Sequence, residues 1–133
     1  MAKTGIIIVS HSEQLAAGVA ELVAEMANDQ VVIQAAGGTG DGRIGTNTLR
    51  ILEAIESMEA CKSILVYCDM GSSIISTETA MDMIDDEDLA EKVHIVDCPL
   101  VEGCFAGTVQ ASITDDTEEI KAVSAQAREL HKA

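Results

Sequence analysis

Four short runs of this chain are apolar at nearly every position, and each is followed by a stretch with helical periodicity. They are Gly5 to Ser10, Val31 to Ala36, Ser63 to Cys68 and Val93 to Val96. A strand with one face in water alternates apolar and polar residues, so an unbroken apolar run predicts a strand covered on both faces. Such strands, separated by helices, form a parallel sheet with right-handed crossovers and helices on both faces. The expected fold is a three-layer, doubly wound α/β domain with a mainly parallel sheet of strand order about 2-1-3-4. Residues 1–133 read as one such domain.

The helices are read from spacing. After the first strand, Leu15, Val19, Leu22, Val23 and Met26 share one face. A second helix is expected from about Gly45 to Met58, burying Leu49, Leu52 and Ile55, and a third carries Ile74, Ile75, Ala80, Met81 and Ile84. The acidic stretch Asp85-Asp86-Glu87-Asp88 reads as a solvated turn. Asp97-Cys98-Pro99 opens a fourth helix, with Val101, Phe105, Val109 and Ile113 on one face and Gly103 and Gly107 suited to close packing. A last helix starts at Asp116 with Glu119 as a capping box, and is expected to bury Ile120, Val123, Ala127 and Leu130.

Composition narrows the function. Eight Lys plus Arg stand against 23 Asp plus Glu, a net charge of −15, which argues against nucleic acid and anionic membranes as partners. Aromatic residues make up 2% of the chain, too few for a base- or sugar-stacking platform. No apolar run approaches the roughly 20 residues of a membrane helix. Met1 to Thr4 leads into the first strand without a signal peptide's cleavage region, so the expected location is cytoplasmic. Cys61, Cys68, Cys98 and Cys104 form no CxxC pair and read as reduced, buried thiols.

In open parallel sheets ligands bind beyond the carboxyl ends of the strands, where the strand order reverses. The segments to watch are Ser10-His11-Ser12, Gly37 to Gly42, Asp69 to Ser73 and Asp97-Cys98-Pro99, and strand order 2-1-3-4 makes His11 and Asp69 neighbours. A histidine at a helix start can serve as phosphate acceptor, general base or metal ligand. Asp69 is placed to take a hydrogen bond from one ring nitrogen of His11, setting the tautomer and freeing the other nitrogen. Gly71, Ser72 and Ser73 offer N–H groups at the next helix start, or a simple N-cap. His94 and His131 lie away from this edge, so no metal site is expected.

Two motifs compete. Gly40-Asp41-Gly42-Arg43-Ile44-Gly45 fits GxGxxG and suggests dinucleotide binding, yet it follows the second strand instead of the first. The same loop imitates a P-loop, but Arg43 and Ile44 stand where Lys and Ser/Thr are required. Asp69 as an aspartyl-phosphate acceptor lacks the carboxylates after the first strand that would hold magnesium.

Taken in order, Gly5 to Ser12, Gly37-Gly38-Thr39, Gly45-Thr46, Asp69 to Ser73 and Pro99 to Gly103 resemble the mannose-type IIA domains of the bacterial sugar phosphotransferase system. The resemblance spans essentially the whole chain. It is closest to the subfamily serving phosphoenolpyruvate-dependent dihydroxyacetone kinases. It implies a mannose-type IIA fold, a homodimer, and no cofactor on this subunit. It also implies that His11 accepts phosphate from the phosphocarrier protein HPr and passes it to ADP held in the partner DhaL, which phosphorylates dihydroxyacetone bound to DhaK. By the same resemblance Asp69 orients the imidazole, and Thr39, Gly71 and Ser72 line the phosphate pocket. Some members carry fused carrier domains; here the partners are expected to be separate proteins. The alternatives are a IIA component of a sugar transporter, and a nucleotide-binding or regulatory module. Most carboxylates are expected on helix surfaces away from the pocket.

Overall fold

The computed structural model describes all 133 residues. Its elements are β1 (Thr4–Val9), α1 (Glu13–Ala24), β2 (Val31–Ala35), α2 (Thr48–Ser57), β3 (Ser63–Cys68), α3 (Gly71–Asp82), α4 (Glu87–Glu91), β4 (Val93–Ile95), α5 (Leu100–Ala111) and α6 (Thr117–Gln126). The strands form one all-parallel sheet of order β2-β1-β3-β4, as the apolar runs predict. Successive side chains of a strand point to opposite faces, and this splits the core in two. Ile7, Val9, Ile64 and Val66 pack against Ile51, Ile55 and Met58 of the α2 region and Ala80 of α3. Ile6, Ile8, Leu65 and Tyr67 pack against Ala16, Val19 and Val23 of α1, Cys104 of α5 and Ile120 of α6. Fully burying one such side chain contributes about 1.5–3 kcal/mol.

Several helix faces are rotated from the sequence reading. In α1 the inner stripe is Ala16, Val19 and Val23, while Leu15, Leu22 and Met26 are exposed. A small residue takes the centre because the chain after β2 crosses there: a Cβ on Gly37 would lie 2.6 Å from the Ala16 Cβ. In α5 the buried residues are Gly103, Cys104, Gly107, Thr108 and Ala111, so Val101, Val109 and Ile113 face outward. The two glycines do allow close packing, since a Cβ on Gly107 would lie 2.2 Å from the Tyr67 hydroxyl.

In α3 the inward side chains are Ser73, Thr77 and Ala80; Ile74 and Ile75 are exposed, and Met81 and Ile84 pack only in part. The second helix begins at Thr48, where the Asn47 side chain accepts the N–H groups of Leu49 and Arg50, and Leu49 is exposed. In the last helix Asp116 caps the Glu119 N–H as expected, but the Glu119 carboxylate accepts from Gln110 instead of closing the box. Leu130 lies past its end and is exposed. The acidic stretch is not a plain turn: Asp86 caps the short α4, which buries Leu89.

The four cysteines are free. Burial pushes the thiols of Cys68 and Cys98 up to about 11 and that of Cys104 to about 12. No helix is long and apolar enough to cross a membrane.

Candidate active site

β1 and β3 pair in register, with Val9 opposite Cys68, so the residues that leave their carboxyl ends emerge side by side. The ladder continues one step further, from the Asp69 N–H to the Val9 carbonyl at 3.1 Å. This brings Ser10, His11 and Asp69 together at the strand-order switch.

Five donors converge on the Asp69 carboxylate. Oδ2 accepts from the Ser10 hydroxyl (2.7 Å) and the His11 N–H (3.1 Å). Oδ1 accepts from His11 Nδ1 (2.9 Å), the Met70 N–H (2.7 Å) and the Ser73 hydroxyl (2.5 Å). Burial alone pushes this carboxyl up, but hydrogen bonds from Ser73, Ser10, and the His11 and Met70 N–H groups outweigh it and hold its pKa well below the usual carboxylate range. Asp69 is therefore ionised and can only accept. His11 Nδ1 must carry the proton of their hydrogen bond, so in the neutral ring the lone pair is on Nε2.

Nε2 is turned toward the Ser72 hydroxyl, which is in hydrogen-bond contact with it. Ser72 is the second residue of α3, and the first N–H groups of a helix lack intrahelical partners. A Cβ placed on Gly71 would meet nothing within 4 Å, so the space at this helix start is open. A nucleophilic nitrogen thus faces a hydroxyl and the positive end of a helix, a setting that favours an anion on that nitrogen.

The loop after β2 closes the other side. Its backbone is tied to the strand end, with Gly38 N–H on the Ser10 carbonyl (3.0 Å) and Gly45 N–H on the His11 carbonyl (2.9 Å). Gly45 makes that bond at φ 148°, a backbone conformation that favours glycine. Thr39 does not reach His11: its hydroxyl bonds Asp41, and Asn47 donates to its carbonyl at 2.9 Å. Asp41 within the loop and Glu13 of α1 are each matched by an arginine, Asp41 with Arg43 (2.6 Å) and Glu13 with Arg50 (3.5 Å). The hydrogen bond from Arg43, aided by that from Thr39, pulls the Asp41 pKa down to about 2.

The GxGxxG segment does not form a phosphate cradle. It ends before Asn47 caps α2, and the N–H of its last glycine is already committed to His11. His94 lies within β4, and His131 beyond α6, so neither joins the site. No group of three or more His, Cys, Asp or Glu side chains is placed to hold a metal ion. Sequence reasoning offers Ser73 only as an N–H donor or N-cap and gives Ser10 no role, yet the hydroxyls of both are buried donors to Asp69. Their signal was position: a hydroxyl one residue before the histidine and another four after the aspartate.

Residues 5–121 match the EIIA-man family model, described as PTS system fructose IIA component. A relative from Listeria innocua, phosphoryl donor subunit DhaM of PEP-dependent dihydroxyacetone kinase 2, is 45% identical over 86% of this chain and 91% of its own length. The corresponding DhaM subunit of Providencia stuartii is 47% identical over 87% of this chain, but that match spans 25% of the longer protein. A crystal structure of a protein whose function is described as unknown superposes with a TM-score of 0.84, at 38% identity and 93% coverage of both chains.

Proposed function

Because this chain belongs to the EIIA-man family, we propose that it is a phosphoryl-transfer subunit of the DhaM type, working through a phosphohistidine on His11. The observation that carries this reading is the His11–Asp69 pair: Nδ1 is held at 2.9 Å by an ionised carboxylate, which turns Nε2 to the open helix start, where it meets the Ser72 hydroxyl.

The chemistry follows from the proton count. The Nε2 lone pair attacks the phosphorus of a phosphohistidine on a carrier protein of the HPr type; a new N–P bond forms as the donor's N–P bond breaks. The donor imidazole leaves with the electron pair. His11 now carries both the Nδ1 proton and the phosphoryl group, so its ring is cationic, and the Asp69 carboxylate balances that charge. In the second transfer an oxygen of the ADP β-phosphate attacks the phosphorus. The His11–phosphorus bond breaks, and the ring returns to neutral with its tautomer unchanged. The relatives' names, phosphoryl donor subunit of a PEP-dependent dihydroxyacetone kinase, support such a kinase as the recipient. Within it we infer that the acceptor is ADP held by DhaL, which serves DhaK.

Phosphoryl transfer of this kind rests on positioning and charge stabilisation. Asp69 fixes the ring, while Ser72 and the N–H groups of Gly71 and Ser72 receive the phosphoryl oxygens. Thr39 acts through the loop that bounds the pocket. The test is incubation with phosphoenolpyruvate, Enzyme I and HPr, followed by ADP-loaded DhaL. The expected result is an acid-labile phosphoryl label, absent in His11→Ala, that is converted to ATP. Label on His11 that never reaches ADP would leave a phosphotransferase but contradict the kinase assignment.

A further inference from the structure

Two hydroxyls, one on each of the segments that flank His11, have so far no role. The bond from the Gly45 N–H to the His11 carbonyl carries the next residue, Thr46, across to α3, where its Oγ1 lies 2.6 Å from Ser76 Oγ. Ser76 follows Ser72 by four residues, so the two share one face of the helix. Ser72 is the residue in contact with Nε2. Thr77 and Thr79 of the same helix turn their hydroxyls back onto carbonyls four residues earlier, at 2.7 and 2.9 Å. Ser76 does not; its hydroxyl is drawn out to Thr46.

The two hydroxyls carry two protons, and the bond between them uses one. The other has no acceptor within the protein, although both residues are half-buried. A phosphoryl group on Nε2 would bring three strong acceptor oxygens to this side of α3. We propose that Thr46 is a further catalytic residue: Ser76 donates to Thr46, and the Thr46 hydroxyl donates to an oxygen of the phosphoryl group on His11. The inference rests on the phosphohistidine reading above. On this reading the loop after β2 supplies one donor to the transferred group and α3 supplies the others.

Three variants test it, with the rate and half-saturation of His11 labelling by phospho-HPr as the readout. Thr46→Val removes the hydroxyl at constant shape and is expected to slow labelling about tenfold, the worth of one charge-assisted hydrogen bond, with half-saturation unchanged. Thr46→Ser is expected to restore the rate. Ser76→Ala keeps the Thr46 hydroxyl but loosens it, and is expected to cost about threefold. Equal losses in Thr46→Val and Ser76→Ala would make the pair a loop latch and overturn the proposal. So would wild-type labelling of Thr46→Val when His11→Ala takes no label. A wild-type chain that takes no label overturns the reading of His11 itself, and this inference with it.

Discussion

Two connections meet at His11, and they are built in opposite ways. The one after β3 is a single tight turn, Asp69-Met70, whose carboxylate is gripped by five donors, two of them buried serine hydroxyls. The one after β2 runs from Ala36 to Asn47, with an exposed tip and an arginine paired to an aspartate two residues away. The first is over-determined, as a group that must hold an imidazole to a fraction of an ångström has to be. The second is anchored to the strand end through Gly38 and Gly45 and leaves its tip to solvent. On the proposed function, orientation lies with the short turn, and the long loop bounds the space that a partner's phosphoryl group enters.

The largest effect should follow from weakening the short turn. Asp69→Asn keeps the shape but removes the charge that balances a phosphorylated ring. It is expected to slow phosphoryl transfer by about 100-fold in a rapid-quench assay, in line with losses of groups that orient a reactive histidine. The same change should alter the pH dependence of stability. The folded pKa of Asp69 lies below its unfolded value, so its contribution is present above about pH 4 and is lost as pH falls through the folded pKa. The gap in urea midpoint between wild type and Asp69→Asn should therefore be widest near pH 7 and already smaller at pH 2.5, part-way through that loss.

Next comes the buried donor. Ser73→Ala leaves one side of the carboxylate short of a hydrogen bond and should cost about 1–3 kcal/mol in chemical denaturation. Gly45→Ala forces an alanine into φ 148° and brings its Cβ to 2.8 Å from Thr39, so the loop must shift off the His11 carbonyl. A tenfold lower transfer rate, roughly, with a small drop in melting temperature is expected. The smallest effect belongs to the exposed tip. Arg43→Ala should leave the melting temperature unchanged and return the Asp41 pKa from about 2 toward 3.8, readable by NMR titration. A transfer defect in Arg43→Ala as large as that of Asp69→Asn would erase the contrast between the two connections.

Strand runs and strand order were legible because a doubly covered strand has no polar side to hide its pattern. The meeting of His11 and Asp69 followed from that order alone. Helix faces were less legible where small residues set the contact. Ala16 in α1 and Gly103 and Gly107 in α5 bury little surface of their own, so the larger Leu15, Leu22, Val101 and Val109 mislead a pattern built on size. The hydroxyls of Ser10, Ser73 and Ser76 were hidden for a related reason. Serine is common at strand ends and in helix first turns, and neither the Asp69 carboxylate that Ser10 and Ser73 reach nor the Thr46 hydroxyl that Ser76 meets can be read from the residues beside them.

The central claim is that Asp69 holds Nδ1 and leaves Nε2 to carry the phosphoryl group. Phosphorus–nitrogen coupling in the ¹⁵N-histidine-labelled protein, phosphorylated through HPr, tests it directly. The account predicts phosphorylation at Nε2 of His11 with Nδ1 protonated; phosphate on Nδ1, or on any other residue, would contradict it.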